Sequence, residues 1–396
     1  MKPDASHRHA PRVSAEQVAA FRVARHHLDT PLPVASLARV AGDMCGAQAQ
    51  VMSAAQLSLR ARIRGLRSED VEKALWKDRT LAKVACMRGT LHLVPSRDHG
   101  VFVRGCARRG ERLTGWIKRR GLPMDVIDRM VDAVGQALDR PLTREELAKR
   151  VAASLGTHKR VRRERGWGNA GPVDVLEVDG TTVSVGGILH IASMRGLACF
   201  GPDTGAGPTY VRPDRWIPDL AEMPFDEAGS ELLRRYLRAF GPATVRDFAL
   251  WTYITAGAAR EVWDRVQPEM APVQVDGRLG SMLRKYLPVL RRAGIDRPTV
   301  RLLPYFDGFL LGHKDKGHIV DARHYKRVYR PAGWLAPVVL VDGRVTGVWS
   351  YKRKGDRLLT NVEPFQRLTR AVREGVEAEA DDVARFFGAR LELRIR

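Results

Sequence analysis

The chain lacks the segments that direct proteins into or across membranes. In its 396 residues no apolar run approaches the roughly 20 residues that span a bilayer. Residues 1–14 are polar and basic, without the apolar core of a secretory signal. We therefore expect no membrane partner and a cytoplasmic location, in association with the nucleoid.

Cysteine is scarce, and its spacing does not suit metal binding. The four cysteines stand at positions 45, 86, 106 and 199, with no C-x-x-C pair and no histidine at zinc-finger distance. In a reducing cytosol disulfides are rare, and free cysteines commonly fill apolar cores. We expect four buried thiols, no metal and no cofactor.

Clustered carboxylates and the common phosphate-binding and nucleophile motifs are also missing. Acidic residues are mostly single and flanked by arginine, whereas metal-dependent nucleases and polymerases need several carboxylates together. Neither G-x-S-x-G nor G-x-x-x-x-G-K-[ST] occurs. The sequence therefore argues against metal-dependent nucleases, serine hydrolases and P-loop ATPases.

Positive charge is what the chain has in excess. There are 67 Lys and Arg against 45 Asp and Glu, a formal net charge of +22, although 44% apolar and 28% charged residues are ordinary globular values. A basic surface gains free energy by releasing the counterions condensed on phosphates. The charge predicts a polyanionic partner such as DNA, and the length predicts two or three domains.

One helix-start pattern occurs three times. The segments Thr143–Ala148 and Thr244–Ala249 each begin with a hydroxyl residue and carry an acid three positions later, as in a capping box. The segment 33–38 repeats their Leu-Ala ending without the cap. A helical pattern precedes each copy, at 15–28, 126–138 and 227–240. Three copies of one helix start indicate three copies of one small module.

Helices followed by a β-hairpin make up the module. Around the first copy, helical patterns at 48–63 and 69–76 precede extended segments at 80–87 and 90–94, separated by the turn Arg88-Gly89. This order is typical of a winged helix, whose helix after the turn can enter a major groove. We predict a mainly helical α+β chain: a disordered tail at 1–13 and three tandem winged helices at 14–122, 123–218 and 219–299.

β-rich segments from residue 300 onward indicate a separate C-terminal domain. Extended patterns alternate with turn signals at Asp342-Gly343 and 354–356, and helical patterns follow at 363–373 and 380–387. We predict a small antiparallel β domain at 300–396, docked on the third winged helix. A hinge or loop is predicted at 158–170.

Two glutamines form the candidate catalytic site. Gln48 and Gln50 close the loop 41–47 and open an amphipathic stretch that carries several arginines. Residues two apart on a helix point about 200° away from each other, so these side chains share a pocket only where the backbone is not yet helical. Gly42 and Gly46 permit such an irregular entry, but a solvent-exposed helix start gives the same pattern.

Cations near aromatic residues are the candidate DNA contacts. His92 lies in an alternating strand, where a histidine is more often a hydrogen-bonding partner of phosphate or core than a base. Two C-terminal clusters suit backbone contact plus stacking on an unpaired base, although solvated turns have the same composition. Their members are His313, Lys314 and Lys316, and Lys352, Arg353 and Lys354.

These motifs, in this order, resemble the AlkZ and YcaQ superfamily of winged-helix DNA glycosylases. The resemblance rests on Gln48-Ala49-Gln50, the helix at 53–64, the segment 88–95 and a hairpin at 307–314, and it covers nearly the whole chain. It implies that the two glutamines are catalytic, because the AlkZ-like branch carries Gln-x-Gln and the YcaQ branch Gln-x-Asp. It also implies removal of bulky N7-alkylguanine adducts, often those of an alkylating antibiotic that the producing organism must tolerate, interstrand crosslinks included.

The chemistry of such adducts agrees with a pair of amides. Alkylation at N7 puts a positive charge on the purine, so the glycosidic bond breaks without an acid and releases a neutral base. Two amides then suffice to orient water toward an oxocarbenium-like sugar and to stabilise positive charge through their carbonyl oxygens. No lysine stands at the motif, so we expect a monofunctional enzyme that leaves an abasic site.

A crosslinked or very bulky base does not turn easily into a snug pocket. We therefore expect a monomer with an open cleft, in which Arg60, Arg62, Arg64 and the C-terminal hairpin hold double-stranded DNA that contains alkylated purines. The alternative is a non-catalytic winged-helix regulator or sensor of modified DNA, because most winged helices bind without reaction. Only the glutamine pair distinguishes the two in the sequence.

Overall fold

The described part of the chain begins with a short strand at the edge of a sheet. The structure is a computed structural model that describes residues 10–109, 117, 121–166, 169–205 and 207–396. The predicted disordered tail at 1–13 lies mostly outside these residues. Its last two residues form β1 (Arg12–Val13), which pairs in parallel with Gln274 and Val275, so disorder is wrong for them.

The first segment, up to residue 109, combines short helices with a small sheet. Its helices are α1 (Ala15–Arg25), α2 (Leu37–Asp43), α3 (Met52–Arg60), α4 (Ser68–Glu72) and α5 (His99–Gly105). Its strands are β2 (Leu32–Pro33), β3 (Ala47–Gln48), β4 (Ile63–Arg64), β5 (Leu81–Ala85) and β6 (Leu91–Pro95). The predicted hairpin is present as β5 and β6, and β3 adds a third antiparallel strand beside β6.

Each of the next two segments also combines helices with strands. The second contains α6 (Met124–Ala137), α7 (Arg144–Ser154), α8 (Val185–Met194), α9 (Pro213–Trp216) and the strands β7 (Leu142–Thr143), β8 (Lys159–Gly166), β9 (Asn169–Val178), β10 (Thr181–Ser184), β11 (Cys199–Asp203) and β12 (Pro208–Val211). The third contains α10 (Phe225–Phe240), α11 (Val245–Thr252), α12 (Ala256–Val266), α13 (Leu287–Arg291) and the hairpin β13 (Met270–Val275) and β14 (Arg278–Leu283).

Local signals in the sequence locate the helix starts of these segments well. Thr143 caps α7 through the N–H of Glu146, whose carboxylate accepts from the N–H of Thr143. Thr244 and Asp247 form the same reciprocal pair at α11. Both capping boxes are confirmed, because a cap depends on residues three apart and not on the rest of the fold.

The predicted hinge at 158–170 is wrong. Most of it belongs to β8 and β9, which run antiparallel and pair from Lys159 with Leu176 to Gly166 with Asn169. The backbone hydrogen bonds of that ladder hold the segment as a hairpin. Residues 167 and 168 lie outside the described part of the chain.

The C-terminal region carries the largest sheet. Its helices are α14 (Tyr325–Val328) and α15 (Arg370–Phe386), and its strands are β15 (Val300–Leu303), β16 (Val338–Val341), β17 (Arg344–Lys354), β18 (Arg357–Pro364) and β19 (Arg390–Ile395), paired in that order. The prediction of an antiparallel sheet is wrong at one edge, where β19 runs parallel to β18. A parallel pair needs a long crossover, and α15 provides it.

The C-terminal sheet packs on the first segment and not, as predicted, on the third. One apolar core joins Leu57 of α3 and Leu93 of β6 to Trp349 and Val376 of the C-terminal region. The loop that follows β15 does dock on the third segment, where the Tyr236 hydroxyl donates to the carbonyl of Gly312 at 2.7 Å and the N–H of Lys314 donates to Asp247 at 2.8 Å. The third segment also packs α10 against α5. The apolar surfaces of α3 and β6 need burial, and the C-terminal sheet supplies it.

Several histidines are buried or partly buried, which favours the neutral form of their rings. Burial, with the charge of Arg104, lowers the pKa of His99 to about 4, and burial, with Arg22 and Lys316, lowers that of His318 to about 3. Burial lowers the pKa of His26 and His313 well below the usual value. The unfolded chain therefore binds more protons than the folded chain at mildly acidic pH.

Acidification is therefore expected to destabilise the protein before its carboxylates titrate. A histidine whose pKa is depressed in the folded state does not weaken the fold above the unfolded-state pKa of about 6.5. Below that pH the free energy of unfolding falls, by about 2 kcal/mol for each such histidine at pH 5. Urea unfolding measures the free energy of unfolding at pH 7 and at pH 5. In His99→Phe the difference between the two values should be smaller by the contribution of one histidine, about 2 kcal/mol. Equal unfolding midpoints at the two pH values would contradict the prediction.

Candidate active site

Neither Gln48 nor Gln50 lies on a helix: Gln48 ends the strand β3, and Gln50 lies in the bend that follows it. Gln48 is the last residue of β3 and pairs with His92 of β6, and the N–H of Ala49 donates to the carbonyl of Leu91 at 2.6 Å. Helix α3 begins only at Met52. Both amides lie beside the start of β6: Gln48 Oε1 shares the Arg88 guanidinium with His92, and Gln50 Oε1 accepts from the N–H of Leu91.

A tight turn before β3 makes this entry possible. Cys45 and Gly46 both have positive φ, 60° and 87°. A Cβ on Gly46 would lie 3.2 Å from a methyl group of Val94, so any other residue there would be crowded as well as strained by the positive φ. The glycine therefore sets the register in which the two glutamines meet β6.

Gln48 is held by a hydrogen-bond network from the β5–β6 turn. Arg88 Nη2 donates to Gln48 Oε1 at 2.9 Å and to His92 Nε2 at 3.1 Å, while its Nη1 donates to the carbonyl of Trp251 at 3.2 Å. A guanidinium only donates, so His92 Nε2 is an acceptor. The proton of this neutral ring is then on Nδ1, which donates to the carbonyl of Thr90 at 3.0 Å.

The two glutamines differ in exposure. Gln48 is 7% exposed, whereas Gln50 lies at the surface. Gln50 Oε1 accepts from the N–H of Leu91 at 3.4 Å, the long end of hydrogen-bond distances. The site therefore has one fixed amide and one adjustable amide.

The C-terminal region lies directly against the glutamine strand. Gly308 passes so close to the carbonyls of Met44 and Gly46 that a Cβ would lie 3.8 Å from each. Its neighbour Asp307 accepts two hydrogen bonds from Arg62, at 2.8 and 2.9 Å. The loop 304–320 is thereby fixed to the block that carries Gln48.

The third segment reaches the site through the carbonyl of Trp251 at the end of α11. Lys316 also lies in this neighbourhood, because the charge of Arg88 is among the causes that lower its pKa to about 8, after burial. Its ammonium group donates to the carbonyls of Leu310 and His313. Residues from the first segment, the third segment and the C-terminal region thus meet around Gln48.

Several predicted DNA contacts are corrected by the structure. Arg60 is 2% exposed and pairs with Glu379 and Asp382, and Arg62 is fully buried against Asp307. A guanidinium committed to carboxylates in the interior is not available to phosphates, so both arginines serve the packing of the C-terminal region on α3.

The histidines and Lys316 are corrected in the same way. The ring of His313 is buried and hydrogen-bonded to Arg22 at 2.9 Å. His92 is buried in the Arg88 network, and the ammonium group of Lys316 faces backbone carbonyls. The segment 307–316 is also a loop and not the predicted hairpin. The exposed members of the predicted set are Arg64, Lys314, Lys352, Arg353 and Lys354.

The cysteines take no part in this site. All four are buried, as predicted, and none of them is in a disulfide. Burial raises the pKa of Cys45, the cysteine nearest to the glutamines in sequence, to about 12. A protonated thiol is a poor nucleophile, so Cys45 does not qualify as the nucleophile of this site.

Arg88 is the site residue that the sequence did not reveal. It appears there only as part of a turn, and its guanidinium meets Gln48 through the fold. The available signal was its conformation: a non-glycine residue with φ of 56°. Such residues are uncommon and often belong to functional sites.

Comparison with known proteins agrees with this geometry. The family model described as "DNA glycosylase AlkZ-like" matches residues 41–386. The chain is 34% identical to the "Interstrand DNA cross-link repair glycosylase" of Streptomyces sahachiroi, over 97% of this chain and 100% of that protein. The structure superposes on the Streptomyces sahachiroi DNA glycosylase AlkZ with a TM-score of 0.80 at 33% identity, covering 97% of this chain and 100% of the other. The chain therefore belongs to the AlkZ-like family of DNA glycosylases.

Proposed function

We propose that this DNA glycosylase is monofunctional and hydrolyses the N-glycosidic bond of bulky N7-alkylpurines, interstrand crosslinks included. The observation that carries the proposal is that Gln48 and Gln50 both lie beside the start of β6, where Gln48 is held by Arg88 and Gln50 is exposed. The relative named as an interstrand cross-link repair glycosylase supports the crosslink part. Self-resistance to an alkylating metabolite, or general alkylation repair, is the role that follows.

The reaction needs little from the protein because the leaving group is already activated. The C1′–N9 bond breaks and its electron pair goes to the purine, which neutralises the charge that alkylation placed at N7. A water oxygen forms the new bond to C1′ of the oxocarbenium-like sugar, and the proton it loses passes to solvent. The amides hold that water in place, a contribution of orientation rather than of base strength.

The DNA-binding surface proposed here combines three winged-helix modules with the exposed C-terminal cations. The modules are those at 14–122, 123–218 and 219–299, and the domain at 300–396 adds Lys352, Arg353 and Lys354 beside the turn of the β17–β18 hairpin. Arg64 and Lys314 are exposed as well. A monomer with an open cleft suits a lesion that is bonded to both strands.

Neutralising the hairpin cations is expected to weaken the salt dependence of DNA binding. If Lys352, Arg353 and Lys354 each contact a phosphate, the triple change to glutamine should reduce the slope of log K against log salt by about 3. Fluorescence anisotropy with lesion-free duplex across salt concentrations measures that slope. Arg370, Arg373 and Arg385, exposed on α15, supply the control triple variant. Equal slopes in the two triple variants would contradict this surface.

The function is tested with duplex DNA that carries one N7-methylguanine. Wild-type protein should release the base and leave an alkali-labile site, and strand scission should appear only after alkali. Scission before alkali would contradict the monofunctional assignment. DNA binding without scission for several alkyl lesions would favour the alternative, a sensor of modified DNA.

A further inference from the structure

The Arg88 guanidinium decides which way the Gln48 amide points. A guanidinium offers only N–H donors, so the amide atom that faces it at 2.9 Å is the carbonyl oxygen. The amide nitrogen is then directed away from Arg88. No acceptor in the described part of the chain is hydrogen-bonded to that Nε2 group, which leaves its N–H donors for a molecule that enters the cleft.

Arg88 is itself held at several points. Its Nη2 also donates to His92, its Nη1 donates to the carbonyl of Trp251 in the third segment, and its backbone sits at φ 56°. The ring of His92 is fixed in turn by the carbonyl of Thr90. A group tied to two segments is well suited to fix an amide within the narrow tolerance that catalysis requires.

Gln50 lacks an equivalent constraint. Its carbonyl accepts a 3.4 Å hydrogen bond from the N–H of Leu91, and its side chain is exposed. An amide held this weakly can turn its carbonyl toward an incoming water. The same kind of side chain therefore stands in two different hydrogen-bonding environments, two residues apart.

We infer that Arg88 is a positioning residue that makes the two glutamines unequal: Gln48 donates an N–H to the oxygen of the attacking water, and the carbonyl of Gln50 accepts a hydrogen bond from one O–H of that water. The water then keeps a lone pair directed at C1′. Arg88 acts only through Gln48 and does not touch the substrate. This inference rests on the proposed glycosylase function.

A double-mutant cycle tests the action of Arg88 through Gln48. Arg88→Ala should lower the single-turnover rate on N7-methylguanine duplex by roughly 10²-fold with little change in the DNA concentration for half saturation. In a Gln48→Ala background the same change should cost nothing more, because the group that Arg88 orients is gone. An equal further loss in that background, or a rise in the half-saturating concentration, would show that Arg88 contacts DNA and would overturn the inference.

Arg79 supplies a matched control for this cycle. Like Arg88 it lies in the first segment with positive φ, 53°, and donates to a backbone carbonyl, that of Trp216, at 3.4 Å. Arg79→Ala should leave the rate near that of wild type. Since both arginines already carry a Cβ in left-handed backbone, alanine adds no new conformational strain at either position. A comparable loss in both variants would indicate general loosening and would count against a specific role for Arg88.

Carboxylate substitutions test the opposite roles of the glutamines. Gln48→Glu keeps an oxygen for Arg88 but removes the N–H donors, so it should be as slow as Gln48→Ala. Gln50→Glu keeps an acceptor and should retain most of the rate. Equal losses in the two variants would overturn the division of roles. An inactive wild type, in contrast, would refute the proposed function itself.

Discussion

Gln48→Ala is expected to lower the single-turnover rate of N7-methylguanine release by roughly 10²–10³-fold, the cost of removing one preorganised hydrogen-bonding group at a reaction centre. In the proposed reaction the Gln48 amide, fixed by Arg88, holds the attacking water, and alanine would leave nothing at position 48 to hold it. Quantification of alkali-induced scission against time gives the rate. Because Gln48 does not supply charge, the affinity for the same duplex should change little.

Gln267→Ala provides the control for amide loss, since Gln267 is an exposed residue at the end of α12 in the third segment. It should retain the wild-type rate. Gln50→Asp refines the test, because a carboxylate at position 50 keeps an acceptor for the water and should preserve activity. Full activity in Gln48→Ala would show that the wrong residue has been chosen.

The sequence was most informative where the physical cause is local. The capping pairs of Thr143 and Thr244 were predicted correctly because each involves residues three apart. The irregular entry into the glutamine strand was predicted from Gly46, because a glycine permits a positive φ that few other residues adopt. Local rules therefore gave the helix starts and the strand that holds the site.

The sequence was misleading where the partner is far along the chain. Arg60 and Arg62 have the spacing of a basic DNA-binding helix, and their true partners, Glu379 and Asp307, lie hundreds of residues later. Periodicity cannot show that a guanidinium will be paired in the interior. The same limit explains why the C-terminal sheet was assigned to the third segment and why Arg88 was read only as a turn residue.

These long-range partners unite the site. Arg88 connects the glutamine strand to α11, and Asp307 connects it to the C-terminal loop. Some of the arginines that raise the net charge, such as Arg60 and Arg62, are therefore buried in ion pairs that hold the fold together. The number of cations available to phosphates is correspondingly smaller than the charge suggests.

Asp307→Ala is the substitution expected to destabilise the fold most. The Asp307 and Arg62 side chains are both 0% exposed, and the carboxylate also accepts from Ser58 at 2.8 Å. Removal of one partner of a buried ion pair leaves an uncompensated charge and costs about 3–5 kcal/mol. Urea unfolding should show a lower midpoint, and the loop 304–320 should become more accessible to protease.

Removing both Arg62 and Asp307 separates the cost of an unpaired buried charge from the cost of the lost contact. The double variant Arg62→Met Asp307→Leu removes both charges and should recover much of the stability, because apolar side chains of similar size can replace a buried ion pair. As a surface control, Glu374→Ala breaks an exposed pair with Arg370 on α15 and should cost only about 0.3–0.5 kcal/mol. If Asp307→Ala were as mild as Glu374→Ala, the pair would not be what holds the C-terminal region against the glutamine strand. If instead the double variant regains stability but not activity, the pair also sets the geometry of the loop beside Gln48.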